Sequence, residues 1–427
     1  MDVHVEVHGG SWRFVIVTLV VGIVILSVLA VREDSVSTSS SARRNRGETY
    51  LDNNATSPCF EEVISCVAET ARVFYANPSS LHGAGQRSRA EVSRCRSELR
   101  DLVKASNYGI IFTSGATESN NLALRSVVTQ RMSETGASEA SVVTTPMEHP
   151  SVYETLAALQ GVTVVMLSVD ASGRIDIEEL HEALKDERVA VVAVSMANSE
   201  IGTIQDVHAI TAACRGAYVH CHLDMTQVFG RYQVSLNGIR ADSVTLSAHK
   251  FHGPKGVGAL FYTLARPPPT PCTTGGKQEQ GLRGGTENVP GIAGMSLALQ
   301  MCMGHVRSGA TERLQKMLQE IKDGLADTLP GVTFRDSSTS TLYQTLSVVL
   351  PVRSALLVEE LSNMDVYLGV GGCACSKGQY SRTLEAMGAS KEEMARTIRI
   401  SLGFLNDDRD VTRFLRCTRM ALARLKK

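Results

Sequence analysis

The chain has 427 residues, of which 43% are hydrophobic and 20% charged, with a formal net charge of −1 at pH 7. So even a balance supplies no field to attract nucleic acid, and no basic stripe interleaved with aromatics offsets it. Ten cysteines over this length are too sparse for a disulfide scaffold, and the length exceeds what a single core serves, so at least two lobes are expected.

Residues 1–13 form a short tail. Residues 14–31 (FVIVTLVVGIVILSVLAV) are an unbroken apolar run that as a helix spans roughly 27 Å, enough for the hydrocarbon core of a bilayer, and predict a single transmembrane helix. The rival is a cleaved signal peptide, since residues 28–30 would suit a peptidase. Against it, the run exceeds a usual signal core, and Asp2 and Glu6 precede it with only Arg13. Arg32, Arg43, Arg44 and Arg46 follow the span, which places the folded body on the cytosolic side of a single-pass anchor. The Ser/Arg-rich stretch 35–46 keeps a mitochondrial presequence as the alternative. Residues 32–49 have little to bury and read as a linker.

The folded body opens near Tyr50. Short β-branched runs fall at 109–113, 141–145, 162–167, 189–195, 218–223 and 243–247, with helical patterns between them at 119–132, 151–159, 177–184 and 210–214. Apolar strands alternating with helices predict an α/β chain with a mostly parallel sheet covered on both faces. After Arg283-Gly284-Gly285-Thr286 the pattern changes to long helices over 291–307 and 311–329. Shorter segments follow at 344–349, 354–364, 397–401 and 410–425, as in a smaller C-terminal α/β domain. The expected division is a segment 50–64 packing with the small domain, a large domain 65–305 and the small domain 306–427.

Ligands of such sheets bind beyond the C-terminal strand ends, and the polar motifs fall there. Ser114-Gly115-Ala116-Thr117 offers backbone N–H groups to a phosphate, or merely caps a helix. His149 could stack on a ring or move protons, or be structural. Asp224, within His222-Leu223-Asp224-Met225-Thr226-Gln227, could pair with a protonated pyridine nitrogen or cap a helix. Ser247-Ala248-His249-Lys250 ends the last of these strands with an amine able to form a Schiff base. Separate structural roles do not explain why all of these, with Asn198, share one edge of the sheet. Cys375, in the glycine-rich Cys373-Ala374-Cys375-Ser376-Lys377 loop, is a candidate nucleophile; a buried cysteine pair or a Cys-x-Cys metal site are the alternatives. No second Cys/His pair completes four ligands, so no metal is expected. Arg399 alternates with apolar residues and is either an edge charge or a bidentate clamp for a carboxylate.

These segments, with Tyr50-Leu51-Asp52-Asn53-Asn54-Ala55-Thr56, Asn77-Pro78-Ser79-Ser80-Leu81-His82, Asn198-Ser199-Glu200-Ile201-Gly202 and Gly253-Pro254-Lys255-Gly256, resemble the class V, aminotransferase-fold cysteine desulfurases that supply sulfur for iron–sulfur clusters. The resemblance runs from about Tyr50 to the C-terminus. It implies fold type I of the pyridoxal-phosphate enzymes, with a seven-stranded sheet in the large domain. It further implies that Lys250 bonds pyridoxal 5'-phosphate, Asp224 pairs with the pyridine nitrogen, His149 stacks on the ring, and Asn198 and Gln227 bond the ring oxygen. Ala116, Thr117, Ser247 and His249 would hold the phosphate, with Thr286 reaching in from the second subunit of a homodimer. Arg399 and Asn54 would bind L-cysteine, whose sulfur passes to Cys375 and on to an acceptor or iron–sulfur scaffold protein. A selenocysteine lyase acting on L-selenocysteine, a class V transaminase with no need of Cys375, and a membrane-tethered scaffold with a degenerate site are the other readings.

Overall fold

The computed structural model describes residues 47–335, 340–370 and 380–425. The apolar run 14–31, most of the linker, and Cys373, Cys375 and Lys377 lie outside the described residues. Twelve strands are described: β1 (Thr49–Leu51), β2 (Tyr108–Thr113), β3 (Ala140–Thr144), β4 (Val162–Met166), β5 (Val189–Ser195), β6 (His220–Asp224), β7 (Ser243–Ser247), β8 (Gly258–Thr263), β9 (Thr333–Arg335), β10 (Thr345–Val349), β11 (Val366–Val370) and β12 (Thr397–Ser401).

Seven of them form one sheet in the order β2-β8-β7-β6-β5-β3-β4. The pairs from β7 through β6, β5 and β3 to β4 are parallel, while β8 runs antiparallel to both its neighbours. The mostly parallel seven-stranded sheet expected of the chain is therefore present. Successive residues of β5 explain its uniform hydrophobicity. Val191 and Ala193 pack with Leu124, Val128 and Val152, whereas Val192 and Val194 join the main core with Phe229 and Phe261. With side chains alternating between faces and both faces covered, no polar alternation survives in the sequence. Strand β8 was not expected, because its apolar run sits directly behind Gly253, Pro254, Gly256 and Gly258 and its antiparallel course departs from the strand–helix alternation.

The second sheet has the order β1-β11-β12-β10-β9, with β1 parallel to β11 and the other pairs antiparallel. Strand β1 begins at Thr49, the last residue of the expected linker. Beyond it Asp52, Asn53 and Asn54 stay bonded to Ser401 of β12, and the chain then passes to the loop that follows β7, where Ser57 N–H donates to His249 O at 2.8 Å. Among the described residues, helix Val289–Arg307 is long and apolar enough to cross a membrane. Its Ile292, Met295, Leu299 and Cys302 are core residues, and it packs against helices Glu61–Val73 and Gly83–Leu102.

Candidate active site

Strand β7 ends at Ser247, and Ala248–Lys250 make a single tight helical turn, so Lys250 leaves the sheet at its C-terminal edge. Its Nζ donates to the carbonyl oxygens of Asn54 and Ala55 at 2.8 and 2.9 Å. The amine thus meets neutral acceptors brought in by the segment that follows β1. Asn54, expected at the substrate, is itself buried, and both of its amide hydrogens are engaged, with Ser199 O at 2.9 Å and Thr345 Oγ1 at 2.8 Å. These bonds hold in place the carbonyl that meets Lys250.

Gln227 donates through Nε2 to that same Asn54 oxygen at 3.1 Å, and its Oε1 accepts from Arg231 Nη1 at 2.6 Å. The guanidinium of Arg231 also donates to Asn54 Oδ1 at 2.9 Å and to Lys250 O at 3.3 Å. Nothing in the sequence marks Arg231, one charge in an apolar segment. The fold buries it completely behind the lysine, and that burial pulls its pKa down to about 10.

Asp224, the last residue of β6, accepts from Thr226 N–H at 2.9 Å on Oδ1 and from Asn120 Nδ2 at 2.8 Å on Oδ2. Among the described residues no cation is ion-paired with this buried carboxylate, which suits it to a protonated ring nitrogen. The second hydrogen of Asn120 Nδ2 goes to Ser151 Oγ at 2.9 Å, which lies 2.8 Å from His149 Nδ1. His149 caps helix Pro150–Ala157, its Nδ1 accepting from Ser151 N–H at 3.1 Å, so the proton of the neutral ring resides on Nε2. Burial lowers the His149 pKa, the Lys250 charge adds to this, and the Asp224 charge opposes it. Asn120 therefore ties the expected ring partner to the expected stacking histidine. The sequence signal, one of five successive polar residues from Thr117 to Asn121 at the start of helix Ala116–Thr135, was too common to single it out.

A phosphate has a fitting seat. Gly115 adopts φ 153°, ψ −177°, a region open essentially to glycine alone, and starts helix Ala116–Thr135 without any side-chain cap. A Cβ on Gly115 would stand 3.4 Å from Ser247 Oγ, so the start of the helix and the end of β7 lie side by side, as a phosphate held by both would need. His249 lies beside it with Nδ1 3.0 Å from Thr56 Oγ1. Burial and the charges of Lys250 and Lys255 push its pKa down to about 4.

Arg399, on β12, is 5% exposed and donates to Asp52 Oδ1 at 2.5 Å and to Ser199 O at 3.2 Å, while its Nε has no partner. Its guanidinium is thus held in a fixed orientation by Asp52 beside the segment that meets Lys250, a placement open to a bidentate contact with a carboxylate. Gly369 of β11 leaves room for it, because a Cβ there would lie 3.0 to 3.2 Å from Asp52 and Arg399 side-chain atoms. Asn198 turns its oxygen to the N–H groups of Glu200 and Ile201 and its nitrogen to Met147 O and Thr383 Oγ1, which gives it a loop-ordering role in this arrangement. Thr286 is exposed, three residues beyond Arg283, which is ion-paired with Glu118 at 2.8 Å. No hydrogen bond among the described residues joins Thr286 to the Lys250 cluster.

Glu148 is buried beside this site, accepting from Thr145 Oγ and from both the N–H and hydroxyl of Ser195. Burial pushes its pKa up from 4.5 to about 7; the Ser195 and Thr145 donors oppose the shift and the Asp224 charge adds to it. The folded state then holds a proton that the unfolded state releases above pH 4.5, so this stability contribution is present below 4.5 and lost as pH rises to about 7. In chemical unfolding from pH 4.5 to 7, the native chain should lose about 3 kcal/mol relative to Glu148→Gln, which cannot titrate. A constant difference between the two would refute the assignment.

Seat, lysine, carboxylate and clamp together fit pyridoxal phosphate carrying an amino acid. The chain matches the family model described as class V aminotransferase over residues 49–414. Cysteine desulfurase IscS of Methanosarcina thermophila is 31% identical over 386 residues, which is 90% of this chain and 92% of that protein. A cysteine desulfurase of Cereibacter sphaeroides is 33% identical over 372 residues, covering 86% and 93%. Among solved structures, a NifS-like protein superimposes with a TM-score of 0.80 at 33% identity, covering 88% of this chain and 99% of the other. SspA in complex with cysteine does so at 0.71 and 28%, covering 83% and 98%.

Proposed function

Because the chain belongs to the cysteine desulfurases of the class V aminotransferase family, we propose that it moves the sulfur of L-cysteine to Cys375 and releases L-alanine. The observation that carries this is that Lys250 and Asp224 stand at one edge of the seven-stranded sheet, while the segment 52–54, which meets Lys250 through Asn54, holds Arg399 of the second sheet through Asp52. Pyridoxal phosphate, when bound, supplies a carbonyl for the substrate amine and a ring able to hold the electron pair left at Cα. Asp224 would hold the ring nitrogen protonated, and His149 would stack on the ring. Arg399 orients the substrate carboxylate, and Lys250 Nζ takes the α-proton and returns a proton to Cβ. Cys375 receives the sulfur: the Cβ–S bond breaks, an S–S bond forms, and the methyl group of alanine completes the balance.

Arg399→Ala should raise KM for L-cysteine and lower kcat/KM by about 10²-fold, since a charged, buried hydrogen-bond partner is worth roughly 2–5 kcal/mol. Steady-state kinetics with an unchanged KM would remove Arg399 from the substrate.

The exposure of Thr286 is consistent with a homodimer that lends it to the neighbouring site, and the persulfide proposed for Cys375 would need an acceptor, such as an iron–sulfur scaffold, to complete the cycle. The apolar run 14–31, with four arginines behind it and one before, supports a single-pass tether with the enzyme on the cytosolic side. Release of the full-length chain from membranes by alkaline carbonate would overturn the tether. The deciding experiment for the reaction supplies L-cysteine and L-selenocysteine in turn and measures alanine and chalcogenide. Turnover of L-selenocysteine alone would make the chain a selenocysteine lyase instead.

A further inference from the structure

The geometry points to a built line of donors behind the ring site: we propose that His222, held as its Nε2–H tautomer, is a positioning residue that orients the Asn120 amide and through it the Asp224 carboxylate. The inference rests on Asp224 being the partner of the pyridine nitrogen.

The direction of each hydrogen follows from the one before. A carboxylate only accepts, so Asn120 must face Asp224 Oδ2 with its nitrogen, 2.8 Å away. The amide oxygen of Asn120 then faces His222 Nε2 at 3.0 Å, and since that oxygen only accepts, Nε2 carries the hydrogen. His222 is 1% exposed, and burial drives its pKa down to about 4 against the opposing charge of Asp224, so the ring is neutral and Nδ1 is a lone pair. Ser243 Oγ, 2.8 Å from that nitrogen, is thereby the donor, and its own lone pair receives His220 Nε2–H at 2.8 Å. Burial also keeps His220 neutral, with the charge of Arg266 adding to the effect.

Four side chains thus point their hydrogens the same way, toward one carboxylate, and each bond polarises the next. The placement is a consequence of strand geometry. His220, His222 and Asp224 stand at every second residue of β6, so they share the face on which helix Ala116–Thr135 lies, and β7 supplies Ser243 alongside. Packing alone would be served by aliphatic residues at 220 and 222, as at most buried strand positions of this sheet.

The test compares the native holoenzyme with His222→Phe, which keeps the ring volume without nitrogens, and His222→Gln, which keeps an N–H near the position of Nε2. His222→Phe should weaken pyridoxal phosphate binding and lower kcat by about 10- to 100-fold, the range typical of groups that orient a ligand's partner, with KM for L-cysteine nearly unchanged. His222→Gln should restore most of both. Independently, nitrogen NMR of histidine-labelled native enzyme near neutral pH should show His222 as the Nε2–H form, a readout that does not depend on any variant folding. A doubly protonated or Nδ1–H ring, or a folded His222→Phe with native affinity and kcat, would overturn the proposal. Asp224→Asn separates the two layers. If it is harmless, the ring-nitrogen reading of Asp224 fails; if it is damaging while His222→Phe is not, only the role of His222 fails.

Discussion

Lys250→Ala, reconstituted with pyridoxal phosphate, is expected to form alanine from L-cysteine at least about 10³-fold more slowly than the native chain, because one amine serves both as covalent anchor and as proton carrier. Proton transfer by a positioned group alone is worth about 10²–10⁴ in rate. The visible absorbance of lysine-bound cofactor should vanish in the same variant. The Ala55 carbonyl would lose the Nζ donor and the Asn54 carbonyl would keep only Gln227, so a modest fall in stability accompanies the substitution. Added methylamine distinguishes the two effects: it can carry protons without restoring the tether, and partial recovery of rate is the expected result. Undiminished turnover without any amine would remove Lys250 from the chemistry.

Cys375→Ser should reduce alanine release from L-cysteine by at least about 10²-fold, since a serine hydroxyl is not ionised at neutral pH and is a far poorer nucleophile toward sulfur than a thiolate. Chemistry rather than geometry selects this residue, which lies outside the described residues. The thiolate must attack the substrate sulfur so that Cβ keeps the electron pair and leaves as the methyl of alanine. Mass spectrometry of the native chain after one turnover should find one added sulfur on the peptide containing Cys375. Cys373→Ser serves as the control, and its rate should stay close to native. A native rate for Cys375→Ser would favour a transaminase, whose chemistry needs no thiol, and the products would then identify it.

How much of this was legible in the sequence differs from residue to residue. Lys250, Asp224 and His149 could be read because each follows a strong apolar run, and the strand end is where an α/β sheet collects its ligands. The order β2-β8-β7-β6-β5-β3-β4 could not, because register and neighbour depend on contacts far apart in the chain. That the Asn54 amide bonds Ser199 and Thr345, far away in the chain, could not be read either. Arg231, Asn120 and His222 carried no local signal, since a buried arginine, asparagine or histidine is identified by its partners and not by its neighbours in sequence.

The amino-acid sequence by itself determined the chemistry on offer: a lysine amine, a strand-end carboxylate, a glycine-led helix start and a thiol, together with the α/β alternation that brings the first three to one edge. Short-range rules suffice for that, because strand period, helix start and turn composition are set within a few residues. Only the tertiary structure decided which groups hold these in place. Asn120 and Asp224 are 104 residues apart, Arg231 and Asn54 are 177, and Arg399 and Asp52 are 347. Pairings of that span form only once the sheets have assembled and water is gone, and burial then makes each unmade hydrogen bond costly enough to fix a single arrangement.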